Sequence, residues 1–221
     1  MSRRIVVITA GLSRPSSTRL LADRIAEAVA AQVGARGESV ETEVIELREL
    51  ASDLVTTLTT GGLPTPAVRR ARELVSSADG VVAVTPVFAA SYAGLFKLFI
   101  DVLDPDSLTG TPVLVAATAG TARHQLVLDH ALRPLFSYLR AVVVPTGVFA
   151  ATEDFGGGEA DALTARVTRA ASELAALVVA ERGAVAGFVP GAEDLRPRRR
   201  SGNDLDEDVP DFETLLGGLG Q

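Results

Sequence analysis

The residues best suited to chemistry fall in three short segments. The first, GLSRPSSTR over residues 11–19, sets the hydroxyls of Ser13, Ser16, Ser17 and Thr18 just before a helical stretch. The start of a helix offers free N–H groups and positive potential to a phosphate dianion, and short hydroxyl side chains let the anion approach the backbone. Arg14 or Arg19 could add charge. Plain N-capping by a Ser or Thr explains the same residues equally well. The second segment is TPVFAASYAG over residues 85–94. Pro86 fixes its own φ and pushes Thr85 to an extended conformation. Ala89, Ala90, Ser91, Ala93 and Gly94 then leave a backbone free to lie against a flat ring and donate N–H groups to it, with Val87 and Phe88 at its flanks. The alternative is an ordinary turn with Ser91 capping the next helix. The third segment is ATAGTARH over residues 117–124, where Thr118, Ala119, Gly120 and Thr121 make a small corner. Gly120 permits positive φ and close ligand approach, although an ordinary turn would also use it.

Other chemistry is excluded by what the chain lacks. It has no Cys, so disulfides, thiolate metal sites and a Cys nucleophile are ruled out. Only two His occur, His124 and His130, which makes a His-based metal cluster an unsuitable reading. His124 follows the third segment and could reach a ligand there or simply bond locally. Asp101 with Asp104, and the run at residues 204–208, read as solvated charge rather than a paired-carboxylate site. No GxxxxGK[ST] loop is present, and no GxGxxG follows the first apolar run, which excludes a P-loop and a dinucleotide fingerprint there. A net charge of −7 argues against a general nucleic-acid binder. The N-terminal apolar run is too short to span a membrane and has no signal-peptide cleavage site, so the expected compartment is the cytoplasm.

The elements that must position these segments alternate strand and helix. Residues 3–9, 80–85 and 112–117 are apolar, β-branched runs that read as buried strands. Residues 40–47 alternate as a half-buried strand, and 141–145 is a short last one. Helical spacing covers 19–33, with Leu20, Leu21, Ile25 and Val29 on one face, then 66–77, 92–103, 121–139 with an interruption near Pro134, and 160–179. Residues 48–65 form an irregular excursion with room for a short helix. This order predicts an α/β domain with a doubly wound, five-stranded parallel sheet in the flavodoxin-like order 2-1-3-4-5. Ligands of such sheets bind outside the carboxyl ends of the strands, where all three segments would meet. The expected domain covers residues 1–182. Residues 183–221, with Arg198–Arg200, an acidic run and a possible partner-binding turn at 212–216, are expected to be an extended or disordered tail.

The chain resembles the NAD(P)H-dependent FMN reductase family, closest to the actinobacterial branch partnered with luciferase-like flavin-dependent monooxygenases. The matching stretches are AGLSRPSSTRLLADRIA at 10–26, ADGVVAVTPVFAASYAGLFKLFIDVLD at 78–104, and 115–150, which together span most of residues 3–150. The resemblance implies a flavodoxin-like fold, bound FMN, NADPH or NADH as hydride donor, and a homodimer or dimer of dimers. By position, Ser13, Ser16, Ser17 and Thr18 would cradle the FMN phosphate. Pro86, Val87, Phe88 and Ser91 would line the isoalloxazine and ribityl chain, and Thr118, Ala119, Gly120 and Thr121 would sit at the ring's other side. The helix with Lys97 and Asp101 resembles one used at the family's dimer interface, though an intrahelical pair four residues apart explains it as well. Two motifs depart from the family. The first loop is usually close to GSxRxxSxN, and here Thr18 stands at the Asn position with the early Ser displaced. The second often reads PEYNGS, and here Val87, Phe88, Ala89 and Ala90 replace its polar and Tyr positions.

The function implied is hydride transfer from NAD(P)H to FMN N5, supplying reduced flavin to a partner monooxygenase. No protein acid, base or metal is needed for that step, so no catalytic side chain is expected. The alternatives are an FMN-retaining quinone or azo reductase and a non-catalytic flavin-binding protein. A true electron-carrying flavodoxin is disfavoured, because the chain has no Trp to stack on the ring and only Tyr92 and Tyr138.

Overall fold

The computed structural model describes residues 2–156, 160–180 and 199–203. Its centre is a mainly parallel sheet built on β1 (Ser2–Thr9), β2 (Ser39–Glu46), β3 (Gly80–Phe88) and β5 (Pro112–Ala119). β4 (Ser91–Tyr92) turns back on β3, and the fifth parallel position is shared by β6 (Val142–Val143) and β7 (Val148–Ala151). The path runs β2-β1-β3-β5-β6, with β7 also paired to β5. Strip away the β4 hairpin and this is the expected doubly wound order. The sheet has seven strands rather than five because of that hairpin and because the last strand is broken. Between the pairs Val113↔Val143 and Ala116↔Val148, four residues (144–147) face two (114–115). Pro145 lies among the surplus residues, and its missing N–H cannot donate to the ladder.

Alternation along the strands divides the core in two. Ile5, Val7, Val82, Val84, Leu114 and Ala116 face α1 (Ser17–Gly34) and α6 (Ala160–Val179). Val6, Ile8, Val81, Ala83, Val113 and Val115 face the other side. There the cover is α2 (Ala51–Thr59), α3 (Pro66–Ser76), α4 (Gly94–Asp101) and α5 (Arg133–Tyr138). Pro at the start of α3 and Thr65, whose hydroxyl accepts from Val68 N at 3.3 Å, set where that helix begins.

Two helical expectations are corrected. The helix expected over 92–103 begins later, at Gly94, because Ser91 and Tyr92 pair with Phe88 and Val87 as the hairpin. The long helix expected over 121–139 begins later: Ala122–His124 is a 3-10 turn, and the continuous helical run that follows is π-wound over Leu128–Leu132 and α-helical over Arg133–Tyr138, so the expected interruption near Pro134 is a change of winding just before the residue that lacks an N–H.

Part of the stretch expected as a tail is docked. Asn203 is buried, and its amide donates to Arg69 O at 3.0 Å and to Glu73 at 3.1 Å. Gly202 O accepts from buried Arg72 at 2.9 Å, and Arg199 donates to Thr111 at 3.0 Å and to Ala78 O. Burial draws the Arg72 guanidinium below its ordinary pKa, with Arg69 pushing the same way and Asp104 opposing. The runs at 204–208 and 212–216 lie outside the described residues. Among the described residues no helix is long and apolar enough to cross a membrane.

Candidate functional site at the carboxyl edge of the sheet

The first loop leaves β1 through buried Ala10, whose N–H donates to Val84 O at 3.0 Å. Gly11 follows because nothing larger fits. A Cβ there would lie 2.1 Å from Ser16 Oγ and 3.2 Å from Thr18 Cβ, so the loop folds back over the space a side chain would take. Ser16 is the N-cap of α1, in extended conformation, and its Oγ accepts from Arg19 N at 3.2 Å. Both readings of this loop therefore have a place: Ser16 caps the helix, while the N–H groups of Ser17 and Thr18 precede the first intrahelical bonds and are left to an outside acceptor. No acidic residue stands in the first turn to compete for them. Ser13 and Ser17 are exposed.

The charges around this loop differ from expectation. Arg19 is spent on Asp23, at 2.7 Å, and on Glu46. The hydrogen bond that Arg19 donates to Asp23 is the main cause that raises the Arg19 pKa. Arg14 is the expected cation that remains outward, 74% exposed and 3.5 Å from Glu49. Arg48, which the sequence does not single out, donates to Ser13 O at 2.9 Å and pairs with Glu46, holding the loop from below. Nothing in its spacing announced this, since the contact joins a loop to the turn after a strand that precedes α2.

The second loop is a tight hairpin. Phe88 pairs with Ser91, and the two residues between them, Ala89 (φ 47°) and Ala90 (φ 63°), are both left-handed. That is the geometry of a type I′ turn, which usually carries Asn-Gly. Its base is locked by Thr85, fully buried, whose hydroxyl accepts from Ala93 N at 3.0 Å and donates to Pro86 O at 3.0 Å. Ala93, not Ser91, is the N-cap of α4. Pro86 and Val87 are half-buried, and Phe88 is 49% exposed. Tyr92 runs inward onto Phe96, with ring centres 6.0 Å apart.

In the third loop β5 continues through Thr118 to Ala119. Thr118 is level with Pro86 in the neighbouring strand. Its hydroxyl lies 2.7 Å from that of Thr18. This contact ties the first loop to the third across the end of β3. Gly120 and Thr121 are exposed. Gly120 does not use the positive φ that it permits, and a Cβ there would meet nothing within 4 Å, so the space beside it is open. His124 is exposed at the end of its 3-10 turn. Lys97 and Asp101 form an ion pair within α4. A cavity of about 390 Å³ opens beside the third loop, but Asp129, Glu153 and Asp154 line it against one Arg, Arg166, the wrong sign for a phosphate. No group of acidic or His side chains among the described residues could hold a metal ion.

This donor set fits a phosphorylated planar ligand. Open helix-terminal N–H groups and exposed hydroxyls stand at one end, and small residues beside half-buried apolar ones stand at the other. Thr9 adds a buried hydroxyl with no partner at the end of β1, on the same side of the sheet by alternation. Residues 3–156 match the profile of a family described as NADPH-dependent FMN reductase.

The chain belongs to the NADPH-dependent FMN reductase family.

Among curated members, an FMN reductase (NADPH) of Pseudomonas aeruginosa is 39% identical over 79% of this chain and 91% of its own length. An NADH-dependent FMN reductase of Pseudomonas putida, SfnE, is 41% identical over 78% of this chain and 91% of its own. Of solved structures, an oxidoreductase from Corynebacterium diphtheriae matches with a TM-score of 0.79 at 59% identity, over 81% of this chain and 98% of that one. The apo form of an NADH:FMN oxidoreductase matches with a TM-score of 0.66 at 29% identity, over 76% of this chain and 88% of that one. The family match covers all three loops, and the fold it brings is the flavodoxin-like one described above.

Proposed function

We infer that this chain is an NAD(P)H-dependent FMN reductase that holds the flavin phosphate on the loop over residues 11–18 and the ring along residues 86–91 and 118–121. The observation that carries the reading is the Thr18–Thr118 contact, because it joins two of the three loops at the sheet edge where such folds bind ligands. Bound FMN supplies a ring nitrogen, N5, that accepts the hydride of NADPH or NADH.

The protein's part is binding and orientation. The N–H groups of Ser17 and Thr18 and the exposed hydroxyls of Ser13 and Ser17 donate to the phosphate, while Ser16 keeps the helix capped. Arg14 adds a cation without a rigid contact. Pro86, Val87, Phe88 and Ser91 flank the ring, and Thr85 holds their backbone still by spending both its bonding capacities inside the loop. Thr118, Ala119, Gly120 and Thr121 form the opposite wall. Apolar flanks disfavour an anionic reduced ring and so shift its potential. No side chain is assigned a proton-transfer role, in keeping with hydride chemistry.

The reading extends to assembly and partners. A homodimer or dimer of dimers, and delivery of reduced flavin to a luciferase-like flavin-dependent monooxygenase, are part of it. The 59% identity to the Corynebacterium oxidoreductase supports the actinobacterial branch. Leu12 and Phe88, 52% and 49% exposed, give two of the loops apolar tips of the kind a docking surface uses.

The test is a visible spectrum of the purified protein, an FMN titration, and NADH and NADPH oxidation with and without added FMN. Oxidation that saturates with free FMN is expected. Quinone turnover without added FMN would favour a flavin-retaining reductase. Absence of oxidation in every condition would sink the enzymatic reading.

A further inference from the structure

Thr18 and Thr118 are each only 3% exposed, and they stand 100 residues apart in sequence. Gly11 carries no side chain on the other side of Thr18, where a Cβ would lie 3.2 Å from the Thr18 Cβ, so the loop backbone passes close beside the pair. In a hydroxyl–hydroxyl contact one O–H is spent between the partners, and the accepting oxygen keeps a hydrogen to donate elsewhere. Accepting one bond also strengthens the bond the same hydroxyl donates. A buried hydrogen without an acceptor is costly, and a phosphate dianion is the acceptor that gains most from it. Thr118 stands in the loop expected to face the ring, yet its hydroxyl turns to the phosphate loop.

We propose that Thr118 is a positioning residue for the phosphate end of the flavin: it acts through Thr18, donating to its hydroxyl so that Thr18 donates to the phosphate. The pair thereby sets the preference for phosphorylated flavin over riboflavin. The proposal rests on the FMN reading above. Its signature is a residue at the ring end whose loss is felt only by ligands that carry a phosphate.

The experiment titrates the protein separately with FMN and riboflavin, following flavin fluorescence, for the wild type, Thr118→Val, Thr118→Ser, Thr18→Val and the double Val variant. Thr118→Val removes the contact that aims the Thr18 hydroxyl and should weaken FMN by up to about tenfold, the value of the charge-assisted Thr18 bond if its aim is lost, and leave riboflavin within about twofold. Thr118→Ser should restore FMN binding. Thr18→Val should repeat the FMN-only loss, and the double variant should be no weaker than either single one, since both remove one relay. Equal losses for both flavins in Thr118→Val and Thr18→Val would mark a merely structural contact and overturn the proposal, as would unchanged FMN affinity. A wild type that takes up neither flavin would refute the FMN reading itself, a different result from a wild type that binds FMN and variants that do not discriminate.

Discussion

The Ala89–Ala90 turn carries a calculable strain. Both residues sit at positive φ, 47° and 63°, in a two-residue hairpin loop closed by Phe88 and Ser91. A left-handed conformation costs a residue with a Cβ roughly 1–2 kcal/mol. Ala90→Gly removes that cost at one position. It also loosens the unfolded chain, which takes back about 0.4–1 kcal/mol. The net expectation is a stabilisation of about 0.5–1 kcal/mol. Ala89→Asn adds to it, because Asn tolerates the left-handed region through local hydrogen bonds. The double substitution restores the Asn-Gly pair that type I′ turns favour. For a chain of this size each kcal/mol moves the Tm by about 2–4 °C, so Ala89→Asn/Ala90→Gly should melt about 2–6 °C higher. Thermal unfolding with a urea series gives the number. A lower Tm in the double variant would refute the reasoning, and would mean that the alanine methyls make contacts worth more than the strain.

Other expectations follow from the same contacts. Ser16→Ala should cost about 0.5–2 kcal/mol of stability through the lost cap, whereas Ser17→Ala should leave stability unchanged and weaken FMN binding; melting curves beside flavin titrations separate the two. Asn203→Ala should destabilise by about 1 kcal/mol, the net worth of its amide bonds to Arg69 O and Glu73; an unchanged urea midpoint would show that these two bonds do not stabilise the domain. Glu38 has its pKa lowered, chiefly by its hydrogen bond from Arg3. A depressed carboxyl stabilises the fold above its unfolded value of 4.5 and loses that contribution as pH falls through the folded value. Glu38→Gln should therefore flatten the acid side of the stability profile below about pH 4.5 and leave its alkaline side alone; a profile with the same acid slope in both proteins would refute the assignment.

The alternation of apolar runs with helical spacing was enough to place β1, β3 and β5, and α6 at residues 160–179 with its bounds unchanged. Buried parallel strands and amphipathic helices advertise themselves locally, because each residue's environment repeats with the element's own period. The three loops were legible for the same reason: they are what remains at the ends of those strands. The broken fifth strand was not. Residues 148–151 make a strand because β5 has an edge to pair with, and no local period in four residues says so. The region after β5 misled in the opposite way, since its apolar spacing is shared by a 3-10 turn, a π turn and a short helix.

The site shows the same division at closer range. Sequence alone determined which residue types lie at the sheet edge, and that Ser and Thr cluster before α1. It could not apportion them, because the partner of each hydroxyl comes from a distant part of the chain or from the helix itself. Tertiary structure decided that Ser16 caps, that Arg19 is spent on Asp23 and Glu46, that Arg48 holds Ser13 O, and that Thr18 meets Thr118. Hydrogen bonds are short and directional, so a hydroxyl's role depends on which neighbour arrives within 3 Å or so, and for residues 100 positions apart only the folded sheet brings them together.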